Sequence, residues 1–179
     1  MFTSKTGVFI SFEGIDGCGK STQVDLLINK LKDNGKNPVL VREPGGTGIS
    51  EEIRDTLLKT QNSLMSSRTE ALLMTASRAQ LTKEIIIPEL ANNRYIIADR
   101  FKDSTLAYQS GGRGLNLEFL IKLNNFATYD IDPDLTFFID IDPVSAEQRI
   151  KKKSLDRIES SGIKFQTKVR ESYIKIAKL

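Results

Sequence analysis

Histidine is absent from this chain of 179 residues, and cysteine occurs once, at Cys18. Without histidine the chain has no imidazole general base, no Ser-His triad and no HExxH zinc site. Any chemistry must therefore use Lys, Arg, Asp, Glu and backbone amides. A single cysteine excludes an internal disulfide framework and is typical of a reducing compartment, so we expect a cytoplasmic protein.

Long apolar runs and a large charge of one sign are also lacking. No run approaches the ~20 apolar residues that a membrane-spanning helix needs, and the short apolar stretch near the start lacks a signal-peptide cleavage site. The net charge of +3 is small and most basic residues alternate with acidic ones, whereas nucleic-acid-binding domains concentrate theirs in a patch. We expect neither a membrane nor a nucleic-acid partner.

Apolar β-rich segments alternate with helical patterns along the chain. Strands are predicted at residues 8–12, 38–43, 94–100 and 134–141. Helices are predicted at 20–32, 50–59, 68–90 with a bend at Pro88, 117–126, and in two stretches after 144. The last strand, DLTFFIDI, is apolar enough to be buried on both faces, as strands of parallel sheets are. The pattern predicts one α/β domain over 1–179, with a mostly parallel sheet and helices on both faces.

Residues 14–21, GIDGCGKS, match the pattern G-x-x-x-x-G-K-[ST] of a phosphate-binding loop (P-loop) between a predicted strand and a predicted helix. Its glycines let backbone N–H groups converge on one anion, and the helix that follows adds the positive end of its dipole. Lys20 can reach the outer phosphates of a nucleotide, and the Ser21 hydroxyl can bind Mg²⁺. The residues predicted to bind the donor nucleotide are Gly14, Ile15, Asp16, Gly17, Cys18, Gly19, Lys20, Ser21 and Thr22. Cys18 is either a redox-sensitive thiol or a small residue that fits the loop.

The predicted strand at 94–100 ends in Asp99 and Arg100. P-loop enzymes place an acid that helps to hold Mg²⁺ at such a strand end, which predicts Asp99 as a metal-site residue together with Ser21. The NKxD motif with which a GTPase reads its base is missing, because the one Asn-Lys pair lies in the first predicted helix and lacks the Asp. Arg100 suggests a second anion beside the first, and therefore a kinase whose acceptor is already phosphorylated.

Four segments resemble the thymidylate kinase family, in the family's order and at similar spacing. They are FEGIDGCGKSTQ, REPGGTGISEEIR, LLMTASRAQL and DRFKDSTLAYQSGGRG, and LDRIE follows them. The resemblance covers nearly the whole chain. It implies a P-loop NTPase fold, phosphorylation of dTMP to dTDP by ATP, Mg²⁺ as cofactor, and a homodimer.

The resemblance also implies which residues hold the acceptor. Asp16 would accept a hydrogen bond from the sugar 3′-hydroxyl, and Tyr108 would exclude a 2′-hydroxyl. Lys20 would be catalytic, as would Arg100, which would bridge the acceptor phosphate and the transferred group. The predicted substrate-binding residues are Asp16, Glu43, Pro44, Arg54, Met74, Arg78, Arg100, Thr105, Tyr108 and Gln109.

Within this set, Glu43 and Pro44 would shape the acceptor side and Arg54 would lie near the acceptor phosphate. Arg78 would bond the thymine carbonyl while Thr105 and Gln109 help to read the base. Each residue also has a plainer interpretation. Arg78 alone would be read as a surface ion pair on an amphipathic helix, and Tyr108 and Thr105 as ordinary loop packing.

The missing histidines are consistent with this chemistry. A phosphate monoester has a second pKa near ~6, so the acceptor oxygen is already mostly deprotonated at neutral pH and needs no general base. Catalysis then consists of holding two charged groups in line and neutralising them with Lys, Arg and Mg²⁺. A sugar kinase would instead need a carboxylate base beside a neutral hydroxyl.

A basic lid is implied at about 149–160. Because Gly17 follows Asp16, the P-loop lacks the basic residue that some family members carry there, and the resemblance then implies that the lid supplies it. Arg149 and Arg157 are its predicted catalytic residues. Taken alone, the lysines at 151–153 would be a solvated helix face.

The sequence departs from the family pattern in three places. Met74 stands where an aromatic residue usually stacks on thymine, and it could equally be core. The lid is about one residue shorter than usual and has Lys where several members have Arg. Lysine lacks the planar fork with which arginine binds a phosphate through two hydrogen bonds. The family continues beyond the position of Leu179 with a strand, a loop that touches adenine and a helix. If the ending at Leu179 is native, we expect the adenine contact to be missing or replaced and one sheet edge to be unpaired or covered differently; the sequence leaves open whether it is.

Two alternatives to thymidylate phosphorylation remain open at this point. One is a nucleoside monophosphate kinase of another base specificity, in which Met74 loosens base selection. The other is a nucleotide-binding protein with little turnover. The preferred acceptor nucleotide would distinguish the first alternative from thymidylate phosphorylation. Nucleotide binding without diphosphate formation would indicate the second.

Overall fold

The computed structural model describes residues 6–150 and 156–178. In this part of the chain four parallel strands form a sheet in the order β2-β3-β1-β4. They are β1 (Val8–Glu13), β2 (Pro38–Arg42), β3 (Tyr95–Asp99) and β4 (Leu135–Phe138). All four predicted strands are present, and β4 ends earlier than predicted.

The strand register brings three loops together. Phe12 of β1 and Arg42 of β2 both lie beside Asp99 of β3. The P-loop follows β1, the EPGG turn follows β2 and the Asp99-Arg100 pair ends β3, so the three segments meet at the carboxyl edge of the sheet. Parallel α/β sheets bind their ligands at this edge.

Eight α-helices lie between and after the strands within the described ranges. They are α1 (Lys20–Asp33), α2 (Gly48–Leu58), α3 (Ser67–Leu81), α4 (Ile87–Ala91), α5 (Lys102–Thr105), α6 (Leu117–Thr128), α7 (Pro143–Ile150) and α8 (Ile163–Ile176). Side-chain oxygens of Thr47, Ser66 and Asn116 cap the N-termini of α2, α3 and α6, because each accepts a hydrogen bond from the backbone N–H three residues on.

The sheet is packed on both faces, which confirms the predicted α/β fold. On one face Phe9, Ile96 and Ala98 pack with Leu81 and Ile86. On the other face Phe12 and Ile97 pack with Val24 and Ile28 of α1. Residues 96, 97 and 98 alternate between the two clusters, as the period of two along a strand requires.

The burial predicted for DLTFFIDI is wrong. β4 pairs with β1 at the edge of the sheet, and Leu135 is 48% exposed and Phe137 43% exposed. Phe137 is covered on one side by Phe12, with ring centroids 5.1 Å apart. An edge strand has a sheet neighbour on one side alone, so its apolar composition does not by itself bury it.

The bend expected at Pro88 begins one turn earlier. A π-helical turn, Thr82–Ile86, separates α3 from α4, and Pro88 occupies the first turn of α4. Proline has no N–H and its ring clashes with the carbonyl four residues before it, at Glu84. A wider turn at that point relieves the clash.

The segment after Arg100, which carried no predicted element, is helical. α5 continues into a π-helical turn, Leu106–Gly112. Its two glycines allow close contact with α8, since a Cβ atom on Gly111 would lie 2.4 Å from the Ser172 Cβ, and one on Gly112 2.5 Å from Phe165 Cε2. In the described ranges no helix is both long and apolar enough to cross a membrane.

Candidate active site

The P-loop takes its shape from glycines in the left-handed region. Gly17 has φ of 77° and Gly19 has φ of 98°, and Gly19 caps the start of α1. The Lys20 side chain folds back into the loop, where Nζ donates to the carbonyl oxygens of Gly14 at 3.0 Å and Ile15 at 2.9 Å. The buried Cys18 thiol lies 3.7 Å from the same ammonium. Burial, then Arg100, lowers the pKa of Lys20.

Ser21 and Asp99, the two predicted metal-site residues, meet in the structure. The Ser21 hydroxyl donates to Asp99 Oδ2 at 2.8 Å, because α1 begins beside the carboxyl end of β3. One hydroxyl and one carboxylate are hard oxygen donors that suit Mg²⁺, which usually completes its shell with waters and phosphate oxygens. In the described part of the chain no cluster of three or more Cys, Asp or Glu side chains could hold a metal alone, so this pair fits Mg²⁺ bound jointly with a nucleotide.

Arg100 connects the P-loop to the loops around it. Its backbone has φ of 75°, which is uncommon for a residue with a side chain. Nη2 donates to Asp16 Oδ1 at 2.5 Å and to the Tyr108 hydroxyl at 3.1 Å, and Nη1 donates to the Gly14 carbonyl at 2.9 Å. The guanidinium also lies over the Tyr108 ring, 5.0 Å from its centroid. The arginine is therefore held rigidly beside the phosphate-binding loop.

The charges in this junction support one another. Burial would raise the pKa of Asp16, but Arg100 and Lys20 hold it below the ordinary value of 3.8. Burial would lower the pKa of Arg100, yet Asp16 raises it well above its ordinary value. Asp16 is therefore ionised and can accept a hydrogen bond, and Arg100 remains a cation that can pair with phosphate.

A cleft of about 150 Å³ opens beside this junction. Asp16 and Arg100 line it from the P-loop side. Its other walls come from the loop after β2, from α2, α3 and α5, from the 106–112 turn and from residues 156–159. All ten residues predicted to bind the acceptor line this cleft: Asp16, Glu43, Pro44, Arg54, Met74, Arg78, Arg100, Thr105, Tyr108 and Gln109. Met74 also packs against the core.

Arg78 lies in the wall of the cleft and is 2% exposed. Its Nε donates to Glu43 Oε2 at 2.7 Å, and its Nη2 donates to the same oxygen and to the Phe101 carbonyl at 3.0 Å. Its Nη1 donates to Thr105 Oγ1 at 2.7 Å and to Asn124 Oδ1. All five N–H groups therefore have protein acceptors, so Arg78 is fixed in one orientation.

Several residues of the site escaped the sequence analysis. The additional residues that line the cleft are Leu58, Ser104, Asp156, Ile158 and Glu159. Asn124 supports Arg78 from α6, where it follows Leu120 by four residues on the buried face. A polar residue on an otherwise apolar helix face is the signal that could have revealed it.

The two predicted lid arginines lie in different places. Arg149, on α7, donates to the Gly17 carbonyl at 3.3 Å and so reaches the P-loop. The Arg157 side chain is 9% exposed and contacts Glu70 Oε2 at 2.7 Å and the Leu57 carbonyl at 2.8 Å. The lysines at 151–153, the middle of the predicted lid, lie outside the described residues, as does Leu179.

The fold and this site together define a class. A P-loop on a parallel sheet, an Asp-Ser pair suited to Mg²⁺, and an arginine-lined cleft that shares Asp16 with the loop are features of a P-loop kinase acting on a phosphorylated acceptor.

Comparison with known proteins narrows the class. Residues 12–179 match the family model described as Thymidylate kinase. Thymidylate kinase of Thermosipho africanus is 50% identical over 172 residues, covering 96% of this chain and 85% of that protein. The thymidylate kinase of Thermosipho melanesiensis is 52% identical over 171 residues, covering 96% and 84%. The crystal structure of thymidylate kinase from Ehrlichia chaffeensis superimposes with a TM-score of 0.79 at 38% identity, covering 96% of this chain and 87% of that one. The chain belongs to the thymidylate kinase family, whose members are phosphotransferases.

Proposed function

We propose that this chain transfers the terminal phosphoryl group of ATP to dTMP and forms dTDP. The observation that carries the proposal is the cleft itself, which gathers all ten predicted acceptor residues and meets the P-loop at Asp16 and Arg100. The donor and acceptor phosphates would face each other across this junction. Residues 1–179 would act as one nucleoside monophosphate kinase domain.

The donor side follows from the P-loop. Backbone N–H groups of residues 14–22 and the Lys20 ammonium would bind the phosphates of ATP, as in other P-loop enzymes. Mg²⁺ would be held by Ser21 and Asp99 and would neutralise charge on the phosphate oxygens. Arg149 is placed to add a further positive charge, since it already contacts the carbonyl of Gly17.

The acceptor side follows from the cleft. Arg54 donates to the Pro44 carbonyl at 2.9 Å and lies in the same wall, where it can reach the phosphate of dTMP together with Arg100. Asp16 would accept from the 3′-hydroxyl. The Tyr108 hydroxyl donates to Asp16 Oδ2 at 2.9 Å, which would hold the ring against the deoxyribose and leave little space for a 2′-hydroxyl.

The base would be read at Arg78, Thr105 and Gln109, with Met74 covering one face. Because every N–H of Arg78 is already bonded, a thymine carbonyl would have to share one of these donors. A fixed donor discriminates among bases better than a mobile one, since a mismatched base leaves buried polar groups unpaired. This arrangement favours thymine over the alternative of loose base selection.

The chemistry needs no general base from the protein. The phosphate of dTMP is mostly deprotonated at neutral pH, so the residues act by position and charge. Arg100 would touch both reacting phosphates, and an arginine in that role is worth on the order of 10³ to 10⁵ in rate. A binding protein with little turnover is disfavoured, because Lys20, Ser21, Asp99 and Arg100 are all in place.

The test is direct detection of the diphosphate product. Purified protein with Mg-ATP would be given dTMP, dUMP, dCMP, AMP and UMP in parallel. We expect dTDP to form fastest by far, Arg100→Lys to lose at least about a hundredfold in kcat, and the distant Arg94→Lys to retain activity. Activity lost on chelation and restored by Mg²⁺ would support the metal site. Absence of any diphosphate, with dTMP still bound, would instead indicate the low-turnover alternative.

We also propose a homodimer in the cytoplasm. The apolar side chains left exposed on α2, α3 and α6 support an interface: Ile49 is 55% exposed, Leu72 55%, Phe119 58% and Phe126 83%. Exposed apolar side chains on adjacent helices are typical of oligomer surfaces. Sedimentation of a monomer at micromolar concentration would contradict the dimer, and recovery of the native protein outside the cytoplasmic fraction would contradict the location.

A further inference from the structure

Glu70 is a buried carboxylate that none of the roles above uses. It lies on α3, is 1% exposed, accepts hydrogen bonds from two side chains and forms an ion pair with a third. Gln109 Nε2 donates to Oε1 at 3.0 Å, and Arg157 Nη2 contacts Oε2 at 2.7 Å. Arg113 donates from Nε to Oε1 at 3.0 Å and from Nη2 to Oε2 at 3.1 Å. Both carboxylate oxygens are therefore fully engaged.

The three donors come from different parts of the molecule. Gln109 is a predicted base reader and lines the acceptor cleft. Arg113 follows the 106–112 turn, lies over the Phe165 ring of α8 at 4.3 Å from its centroid, and donates to Ser161 Oγ at 3.3 Å. Arg157 lies at the far end of the predicted lid. One carboxylate therefore joins the base-reading turn to the end of the predicted lid.

Side chains of the segment around Arg157 face two different depressions in the surface. Asp156, Ile158 and Glu159 line the acceptor cleft, whereas Arg157 lines a separate polar depression together with Arg113. Arg157 is fixed further by its backbone N–H, which donates to the Leu58 carbonyl at 3.2 Å, and by Nε, which donates to the Leu57 carbonyl at 2.8 Å. Holding Arg157 therefore holds three cleft-lining neighbours in place.

The negative charge of Glu70 balances the positive charges around it. Burial would raise the pKa of Glu70, but Arg113 and Gln109 hold it below the usual value of 4.5, so the carboxylate is ionised at neutral pH. Two guanidinium groups share this one anion. A neutral side chain would leave like charges facing each other in a buried site, and the Gln109 amide would lose its strongest acceptor.

We propose that Glu70 is a positioning residue that orients Gln109 toward the acceptor base and, through Arg157, holds residues 156–159, at the end of the predicted lid, against the same cleft. The proposal rests on the proposed function, because it assumes that the cleft binds dTMP. It also assigns Arg157 to the acceptor side as a tether and leaves the donor phosphates to Arg149.

The experiment measures kcat, KM for dTMP and KM for ATP in Glu70→Gln, Gln109→Ala and the double variant. The surface variant Glu118→Gln is the matched control, since Glu118 is 77% exposed and pairs with Lys122. We expect Glu70→Gln to raise KM for dTMP by about tenfold, the size of one lost charge-assisted hydrogen bond, with kcat and KM for ATP changed less than about threefold. The double variant should lose less than the product of the single losses, because both remove the same contact.

A purely structural role for Glu70 would lower the melting temperature and the active fraction but leave KM for dTMP unchanged, and this result would overturn the proposal. If Glu70→Gln does not fold, Arg157→Gln supplies the test. If Arg157 is a tether, Arg157→Gln should raise KM for dTMP. If Arg157 instead contacts the transferred phosphate, the same variant should lower kcat by about a hundredfold or more at unchanged KM.

The two proposals can fail separately. Calorimetry of dTMP binding without ATP measures the acceptor affinity whether or not the wild-type chain turns over. A wild-type chain that binds dTMP but forms no dTDP would contradict the proposed function, and weaker dTMP binding in Glu70→Gln would still support the positioning role. Active wild-type enzyme with equal dTMP affinity in both proteins would contradict the positioning role alone.

Discussion

Replacing Glu13 by glutamine should remove part of the pH dependence of folding stability. Glu13 ends β1 and is 1% exposed. Its Oε1 accepts from the Phe101 N–H at 2.7 Å, and its Oε2 accepts from the Ser104 hydroxyl at 2.6 Å and the Tyr173 hydroxyl at 2.9 Å. Burial, then the charge of Asp103, raises the pKa of Glu13 from 4.5 to about 7, and these effects outweigh the opposing hydrogen bonds and the positive charge of Arg100.

The sign and size follow from this pKa. Between pH 4.5 and about 7 the native protein keeps the proton on Glu13 while the unfolded chain releases it, so the free energy of unfolding falls as pH rises through this window. The total loss is about 3 kcal/mol, from roughly 1.4 kcal/mol for each unit of pKa. Below the window both states are protonated and nothing is lost. Glutamine has no proton to release, so the variant does not show this fall in the free energy of unfolding.

The assay is urea unfolding at about pH 5 and about pH 8, with Glu118→Gln as the exposed control. Relative to wild type, Glu13→Gln should gain about 2 to 3 kcal/mol in free energy of unfolding between the two pH values, while the control should gain nothing measurable. Asp103 is present in all three proteins, so its own titration largely cancels. A difference that is the same at both pH values would show that Glu13 is already ionised in the native protein and would refute the reasoning.

Two further predictions concern packing and the base pocket. Gly111→Ala should lower the free energy of unfolding by roughly 1–3 kcal/mol, because its Cβ would lie 2.4 Å from Ser172 Cβ. The control Gly48→Ala, with nothing within 4 Å of the added Cβ and no positive φ, should be neutral or stabilising by up to ~1 kcal/mol. Equal urea midpoints for Gly111→Ala and wild type would contradict the close contact of Gly111 with α8. Asn124→Ala should raise KM for dTMP by roughly three- to tenfold without a comparable change in KM for ATP, since Arg78 loses one of its acceptors. An unchanged KM for dTMP would show that Asn124 does not set the position of Arg78.

Local sequence determined the elements and the phosphate-binding loop. Strand and helix positions follow from periodicity, and GIDGCGKS specifies its own backbone because glycine at Gly17 and Gly19 permits the positive φ that the loop needs. The same local character explains why Ser21 and Asp99 could be named in advance, since each sits at the end of a predicted element. The resemblance to the thymidylate kinase family then supplied the acceptor residues, and the structure places all ten in one cleft.

The tertiary structure decided what depends on neighbours distant in the chain. The sequence of β4 reads as buried, but its edge position leaves Leu135 and Phe137 partly exposed. Arg157 reads as a lid arginine beside Arg149, yet its guanidinium contacts Glu70, 87 positions earlier in the sequence. Periodicity and motifs report local conformation and the types of side chain present, whereas pairing among buried charges depends on which helices and turns pack together. Such pairing exists only after the chain has folded.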